Sequence, residues 1–123
     1  MSVVIIGGHD RMVCQYKKVC KSFNCKAKVF THYVDVYMTH WQSVEGSEYY
    51  VPIQKTMDVL NELKAQGKIR AIGAANVDID QIKEYMKWGD LDIVQAKYSI
   101  LDRGIEDEII PCCREKGVTI QAY

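Results

Sequence analysis

Residues 33–41, YVDVYMTHW, form a short and mostly apolar run that ends in a histidine and a tryptophan. The run has the length of a buried strand, which places His40 at the carboxyl end of that strand. Parallel α/β enzymes hold acid/base groups at this position, because the carboxyl ends of their strands surround the active site. Residues 33–41 therefore predict a parallel α/β sheet, and they mark His40 as a candidate acid/base group.

Two later apolar runs end in the same way, one in Ala75-Asn76 and the other in Val94-Gln95. Because the carboxyl ends of parallel strands meet at one edge of a sheet, we expect the imidazole of His40 and the amides of Asn76 and Gln95 to share one pocket. The alternative is that His40 is an ordinary histidine at the end of a sheet.

The chain has 123 residues, which is one ordinary domain at most. Hydrophobic residues make up 48% and charged residues 26%, a composition typical of a globular protein with a buried core. The chain is too short to close an eight-stranded α/β barrel, which needs about 250 residues.

Charge and hydropathy argue against two classes of partner. Lys and Arg number 16, as do Asp and Glu, and the sequence contains no basic run, so we expect no nucleic-acid binding. No long uninterrupted apolar segment is present, so we expect no membrane span. The start of the chain also lacks the basic residues of a signal peptide.

The five cysteines show no pattern of a disulfide framework or a metal site. Their number is odd, no Cys-x-x-Cys occurs, and no histidine lies at a ligand spacing from them. We therefore expect packing residues or inert thiols, no bound metal, and a cytoplasmic location.

The first 31 residues have the pattern of a β-α-β unit. A β-branched strand at 3–6 stops at Gly7-Gly8, Asp10 can cap a following helix, and residues 27–31 read as a second strand. The turn Gly7-Gly8-His9 is either a weak phosphate cradle at a helix N-terminus or a tight strand-to-helix turn.

From residue 32 onward, predicted strands and helices alternate. Pro52 suits a first helical turn, Asp78 with Gln81 forms a capping-box pattern, and Pro111 should kink its helix or split off a first turn. Helices should end at Gly67, Gly89 and Gly117. The predicted strands are 34–38, 69–72, 91–94 and 118–122, and the last predicted helix is 106–116. Such alternation predicts a mainly parallel sheet with right-handed crossover helices.

Residues 33–123 resemble the aldo-keto reductase family. The resemblance is carried by four segments: DVYMTHW at 35–41, LKAQGKIRAIGAA at 63–75 with Asn76, QAKYS at 95–99, and QAY at 121–123. It implies an incomplete TIM (β/α) barrel over residues 32–123, with reduction of a small carbonyl substrate by hydride transfer from NADPH.

The resemblance also implies roles for individual residues. His40 matches the catalytic histidine that orients and polarises the substrate carbonyl, and Trp41 matches a position that lines the substrate pocket. Asn76 and Gln95 match the pair that hydrogen-bonds the nicotinamide carboxamide, and Tyr123 matches the tyrosine that stacks under the nicotinamide ring. Ala75 stands where many members carry a serine, which removes one contact.

Other parts of the family pattern are absent from this sequence. Nothing in it matches the motifs of the catalytic tyrosine, lysine and aspartate, or the loops that grip the cofactor phosphate. Without the general acid, catalysis falls by about 10²–10⁴-fold. We therefore expect this chain alone to be inactive and to bind NADP poorly.

Residues 1–31 instead resemble the start of a small bacterial α/β domain family of unknown function. We therefore expect a chimera that changes near Thr31-His32, with an N-terminal unit at 1–31 and a partial barrel at 32–123. Two alternatives to a reductase fragment stay open: a non-catalytic α/β binding module, and an open half-barrel that self-associates through its exposed sheet edges.

Overall fold

The structure, a computed structural model, describes residues 3–6, 33–48 and 50–123. For residues 3–6 it describes the backbone. The predicted helix after Asp10, the predicted strand at 27–31 and the turn Gly7-Gly8-His9 lie outside the described residues, as does the junction near Thr31-His32. The division into an N-terminal unit and a partial barrel therefore stays a prediction.

Five strands form one parallel sheet whose spatial order follows the chain. They are Val3–Ile6 (β1), Val34–Thr39 (β2), Ile69–Ala75 (β3), Ile93–Ala96 (β4) and Thr119–Ala122 (β5). Three helices are described: Ile53–Ala65 (α1), Ile79–Trp88 (α2) and Ile109–Lys116 (α3). Repeated crossovers on one side of a sheet produce this order, so the predicted parallel α/β fold is confirmed.

The helices cover one face of the sheet, which we call the helix face. Met57 of α1, Ile82 of α2 and Cys113 of α3 are fully buried there against Ile72 and Val94 of the sheet. Burying aliphatic side chains of this size contributes about 1.5–3 kcal/mol each, so this cluster accounts for much of the stability of the described fold.

A smaller cluster lies on the opposite face, which we call the second face. It consists of Val36, Met38 and Ala75, with Ala71 and Ile93 packed against them. Side chains alternate between the two faces because successive residues of a strand point in opposite directions.

Gly73 lets β2 and β3 pack closely on the second face. A Cβ at this position would lie 2.9 Å from Met38 Cε, which is too close for two carbon atoms. The absence of a side chain at Gly73 is therefore what allows Met38 to lie across β3.

The helix boundaries follow the predicted signals with two corrections. Gly67 and Gly117 adopt left-handed φ values of 69° and 70° after their helices, and Asp78 with Gln81 forms the predicted capping box. Pro52 is the N-cap of α1 rather than its first helical residue. The last helix begins at Ile109 rather than residue 106, because Pro111 lacks the N–H of an inner helical turn and is tolerated in the first turn.

Gly89 ends α2 for a steric reason. A Cβ there would lie 2.6 Å from Asn61 Oδ1, and the amide Nδ2 of Asn61 donates to the carbonyl of Trp88 at 2.9 Å. Asn61 on α1 thus satisfies one of the last carbonyls of α2, and Gly89 provides the space for that contact.

All four predicted strands from residue 32 onward have different bounds, and the one predicted at 34–38 continues to Thr39. The strand predicted at 69–72 continues to Ala75, the one predicted at 91–94 is β4 at Ile93–Ala96, and the one predicted at 118–122 begins at Thr119. Leu91 and Val118 are apolar because both are buried in the helix-face core just before their strands. Gln95 consequently lies inside β4 rather than after it.

Asp92, which immediately precedes β4, forms hydrogen bonds with three other elements. Its Oδ2 accepts hydrogen bonds from the backbone N–H of Ile72 at 2.8 Å and from Lys64 Nζ at 2.9 Å. Its own carbonyl accepts from Thr119 N at 2.9 Å. Asp92 therefore connects α1, β3 and β5 at the amino-terminal edge of the sheet.

None of the helices within the described ranges is long and apolar enough to cross a membrane.

Replacing Asp92 by Ala should lower the free energy of unfolding by about 1.5–2 kcal/mol, because a charged acceptor is removed from a half-buried backbone N–H. The variant Lys64→Met is the control, since it removes only the partly exposed ion pair and should cost less than about 1 kcal/mol. Urea unfolding followed by circular dichroism measures both, and equal losses would contradict the assigned role of the backbone bond.

Candidate functional site

Polar residues gather at the carboxyl-terminal edge of the sheet. His40, Asn76 and Tyr123 directly follow β2, β3 and β5, and Gln95 is the third residue of β4. All five strands point the same way, so these four residues lie along one edge. The structure thus places His40, Asn76 and Gln95 along one edge of the sheet, and the pocket that their side chains were expected to share stays a prediction.

Asn76 connects its neighbours on both sides. Its Nδ2 donates to the carbonyl oxygen of His40 at 2.9 Å, and its Oδ1 accepts from the hydroxyl of Tyr123 at 2.5 Å. Its backbone N–H donates to the carbonyl of Gln95 at 3.1 Å. Asn76 therefore joins the carboxyl end of β3 to those of β2, β4 and β5.

The backbone of Asn76 adopts a left-handed φ of 56°, which is unusual for a residue other than glycine. Asparagine tolerates this conformation better than most side chains do. The turn after β3 thus aims the amide along the edge of the sheet, where both of its hydrogen bonds form.

The imidazole of His40 is half-buried at the end of β2. Its Nδ1 is buried and has no hydrogen-bond partner among the described residues. Its ring meets the ring of Trp41 edge to face, with a centroid distance of 6.0 Å and an interplanar angle of 78°. The end of β2 therefore combines an imidazole with an aromatic surface.

Gln95 lies on the second face of the sheet, two residues after Ile93. Its Nε2 donates to Oε1 of Gln121, which stands opposite it on β5, at 3.1 Å. The strand neighbour on the other side is Ala75, whose methyl group cannot hydrogen-bond. No role for Gln121 was predicted from the sequence.

Tyr123 leaves its ring largely exposed at 58% of the side-chain surface expected for a free residue. Its backbone is fixed, because its N–H donates to Ala96 O and its carbonyl accepts from Tyr98 N, both at 3.1 Å. With its hydroxyl held by Asn76, the ring is anchored at both ends and still open to a planar ligand.

Trp41, whose ring meets that of His40, also borders a separate cavity. With 57% of its surface exposed, it lines a cavity of about 260 Å³ together with Thr39, Lys55 and Val59. This cavity lies between β2 and α1, beside the helix face. A second concavity of about 600 Å³ lies at the amino-terminal edge, where Asp92 and Val118 are among its lining residues, and it contains none of the predicted site residues.

The segment after Trp41 is fixed to α2. The buried hydroxyl of Tyr85 donates to Gln42 Oε1 at 2.9 Å, and Gln42 Nε2 donates to the carbonyl of Val51 at 2.7 Å. Ser43 Oγ also bonds both backbone groups of Val51. Tyr85 packs in the helix-face core, and its hydroxyl additionally holds the base of the loop beside His40.

Burial raises the pKa of Tyr85 above its ordinary value of 10.0, and a hydrogen bond with Thr39 offsets part of that rise. The phenol is therefore held in its neutral, hydrogen-bond-donating form. Burial likewise raises the pKa of Tyr37.

The loop after β4 is organised by charged pairs. Lys97 Nζ lies 2.8 Å from Asp102 Oδ2, an ion pair that raises the pKa of Lys97 and lowers that of Asp102. The Tyr98 hydroxyl donates to Glu106, which raises the pKa of the phenol and lowers that of the carboxyl. Lys97 is thus a loop residue held in an ion pair with Asp102.

Two contacts of this edge, the Gln95–Gln121 pair and the Tyr85–Gln42 bond, were not predicted from the sequence. A signal for the first was present, since Gln121 lies two residues before Tyr123 and an extended chain places residues two apart on the same face. The second joins residues 43 positions apart, and no local pattern indicates it.

Comparisons with known proteins agree with this fold. The family model described as "Aldo/keto reductase family" matches residues 15–123. The NADH-specific methylglyoxal reductase of Escherichia coli is 62% identical over 91 residues, which cover 74% of this chain and 27% of that protein. The aldo-keto reductase YhdN of Bacillus subtilis is 32% identical over 100 residues, covering 81% and 29%.

Solved structures give the same result. The thermostable aldo-keto reductase Tm1743, solved with the inhibitor epalrestat, superposes with a TM-score of 0.72 at 28% identity. The match covers 98% of this chain and 43% of that one. An aldo-keto reductase of Klebsiella pneumoniae, solved with NADP and acetate, gives a TM-score of 0.70 at 25% identity, with 98% and 41% covered.

This chain belongs to the aldo/keto reductase family, as its resemblance indicated, and its parallel sheet corresponds to part of a TIM barrel. It spans less than a third of the length of the two curated relatives described above. The family match begins at residue 15, within the predicted N-terminal unit, and the boundary near Thr31-His32 stays a prediction.

Replacing Asn76 by Ala should destabilise the fold more than replacing it by Gly, although Ala retains more of the side chain. Both changes remove the bonds to His40 and Tyr123, but only Gly accepts φ of 56° without steric cost. We expect Asn76→Gly to be the more stable variant by about 1 kcal/mol in chemical denaturation. The reverse order would show that the left-handed turn does not govern this position.

Stability should fall as pH rises above about 10, because the unfolded chain then loses the Tyr85 proton more readily than the folded chain does. The contribution of Tyr85 is complete below the pKa of the unfolded phenol and disappears as pH rises through the folded pKa. The free energy of unfolding of Tyr85→Phe, measured from pH 8 to 11, should decline less steeply than that of the wild type, with Tyr37 supplying a remaining slope. Parallel curves for the two proteins would argue against a raised pKa at Tyr85.

Proposed function

We propose that this chain supplies the nicotinamide-facing edge of an aldo-keto reductase that reduces a small carbonyl compound by hydride transfer. The observation that carries the proposal is the linked edge formed by Asn76, Gln95 and Tyr123 beside His40. Membership of the family supports it, as do related structures solved with NADP or NADPH.

The chemistry of these side chains fits a nicotinamide. A carboxamide offers one acceptor and two N–H donors, which the amides of Asn76 and Gln95 can complement. The exposed and anchored ring of Tyr123 offers a surface on which a planar ring can stack. A nicotinamide bound there would supply the hydride, while the residues described here hold and orient it.

His40 is proposed to orient the carbonyl substrate. Its position directly after β2 and its buried, unpartnered Nδ1 within the described residues support an imidazole fixed with one nitrogen turned into the protein. Trp41 is proposed to line the substrate side, where its exposed ring meets that imidazole edge to face. Methylglyoxal is the first candidate substrate, because the 62% identical relative is named for it.

The choice between NADPH and NADH is a separate question. The resemblance implied NADP, related structures contain NADP or NADPH, and one relative is named NADH-specific. We propose NADP(H), with weak binding by this chain, since its sequence shows no match to the motifs that grip the phosphate. Turnover by this chain should be about 10²–10⁴-fold lower than that of a reductase with a general acid, because the sequence shows no match to the motif of that residue.

Titration with NADPH and NADH, followed through tryptophan fluorescence, tests this proposal. The variant Trp88→Phe leaves Trp41, beside the site, as the reporter, because the chain has two tryptophans. Gln95→Leu should weaken binding by about tenfold through the loss of one amide hydrogen bond. Gln54→Leu on the exposed surface of α1 is the matched control and should leave binding unchanged.

The outcomes separate the candidates. A saturable change that Gln95→Leu weakens supports the nicotinamide edge, and the tighter of the two cofactors identifies the dinucleotide. Absence of any saturable change up to millimolar cofactor would exclude cofactor binding by this chain.

A second candidate, self-association, is favoured by the outer edge of β5. Thr119, Gln121 and Ala122 are exposed there, and β4 is the only neighbour of β5 within the described sheet. An unpaired strand edge can pair with a strand of another copy. Light scattering over a concentration series tests this candidate, and a constant monomer mass would count against it.

A further inference from the structure

Gln95 is held by one polar neighbour within the sheet. The register places it between Ala75 on β3 and Gln121 on β5, and Ala75 carries no polar side-chain atom. The 3.1 Å bond runs from Gln95 Nε2 to Gln121 Oε1, so the nitrogen end of the Gln95 amide is the end that is engaged.

That direction matters because the two ends of an amide differ chemically. The oxygen accepts hydrogen bonds and the nitrogen donates them. One N–H of the Gln95 amide is donated to Gln121, and the amide oxygen has no partner within the described residues, so the oxygen is the end that is open to a ligand. An oxygen in that position accepts from the NH₂ group of a carboxamide and gives nothing to a ligand that lacks such a donor.

We propose that Gln121 is a positioning and specificity residue that fixes the orientation of the Gln95 amide, so that the site selects a carboxamide over other acyl groups on the pyridine ring. This inference rests on the proposed function and deepens it. Gln121 acts through Gln95 and is not itself placed against the reacting atoms.

Neighbouring contacts explain why Gln95 needs such a partner. Asn76 is held by two side-chain hydrogen bonds and a fixed backbone turn. Gln95 has one more rotatable bond than Asn76, and Ala75, which lies opposite it on β3, offers no side-chain hydrogen-bond partner. Gln121 therefore supplies the orientation that position 75 does not.

Three substitutions at position 121 distinguish an effect on the orientation of the Gln95 amide from an effect of side-chain packing. Gln121→Glu leaves only acceptor atoms, so the nitrogen of Gln95 should stay engaged through a stronger, charge-assisted bond. Gln121→Lys offers only donors and should turn the Gln95 amide so that its nitrogen faces the ligand. Gln121→Met keeps the length of the side chain and removes the hydrogen bond.

The ligand test compares NADP with its 3-acetylpyridine analogue, in which a methyl group replaces the carboxamide NH₂. Both ligands carry the same charge, so the ratio of their dissociation constants is insensitive to the charge change at position 121. The wild type and Gln121→Glu should prefer NADP by about tenfold, the value of one hydrogen bond. Gln121→Lys should bind the two ligands about equally, and Gln121→Met should fall between.

Gln54→Lys on the exposed surface of α1 is the charge-matched control and should retain the wild-type preference. Retention of that preference by Gln121→Lys would overturn the proposal. Equal binding of both ligands by the wild type would also overturn it, since Gln95 would then not present its oxygen.

A second measurement does not depend on the cofactor. The side-chain amide protons of Gln95 are identified in NMR spectra by comparison with Gln95→Leu. In the wild type and Gln121→Glu, the chemical shift of the hydrogen-bonded proton should vary little with temperature. In Gln121→Met and Gln121→Lys, where that hydrogen bond is absent, the chemical shift should vary more strongly. Unchanged signals in all four proteins would overturn the orienting role, whatever the cofactor titration shows.

The two measurements separate failure of this inference from failure of the proposed function. If the wild type binds neither ligand up to millimolar concentration, the proposed function and the proposed ligand selectivity are both wrong. The NMR comparison then still decides whether Gln121 orients Gln95. If the ligands bind without the expected preference, only the present inference falls.

Discussion

Parallel pairing of neighbouring strands is the constraint on which the site depends. Residues opposite each other in a parallel pair point to the same face, and the strands end at the same edge. The pairs Thr39↔Ala74, Ala75↔Gln95 and Gln95↔Gln121 show how this register places residues distant in sequence beside one another. A shift of one residue in either of the last two pairs would carry a glutamine from the second face into the helix-face core.

That register has an energetic consequence at the carboxyl edge. Strand ends leave backbone and side-chain polar groups that need partners, and the partners here are one another. Asn76 bonds the carbonyl of His40 and the hydroxyl of Tyr123, while Gln95 bonds Gln121. Each bond contributes about 0.5–1.5 kcal/mol to stability, and together they hold a row of polar groups in a fixed arrangement.

The elements and much of the edge could be predicted from the sequence, because the signals are local. Gly67, Gly117 and the capping box of Asp78 with Gln81 set helix ends by short-range backbone effects, and His40 and Asn76 could be placed after apolar runs of strand length. The start of β4 could not be predicted in this way. Leu91 looks like a strand residue because it is apolar, but it is buried in the helix-face core and lies before the strand. Contacts such as Tyr85 with Gln42 need the tertiary arrangement, which no local pattern carries.

The misplaced start of β4 also changes how Gln95 is positioned. If Gln95 followed the strand, the alternation of side chains between the two faces would not determine its direction. Asn76 is in that situation, with its φ of 56°. As a residue inside β4, Gln95 has its face fixed by the backbone, and only its side-chain torsions are left to be set. The edge therefore uses two means of positioning. At Asn76 the backbone turn aims a short amide, whereas at Gln95 the sheet fixes the face and a neighbouring side chain chooses which end of a longer amide points outward.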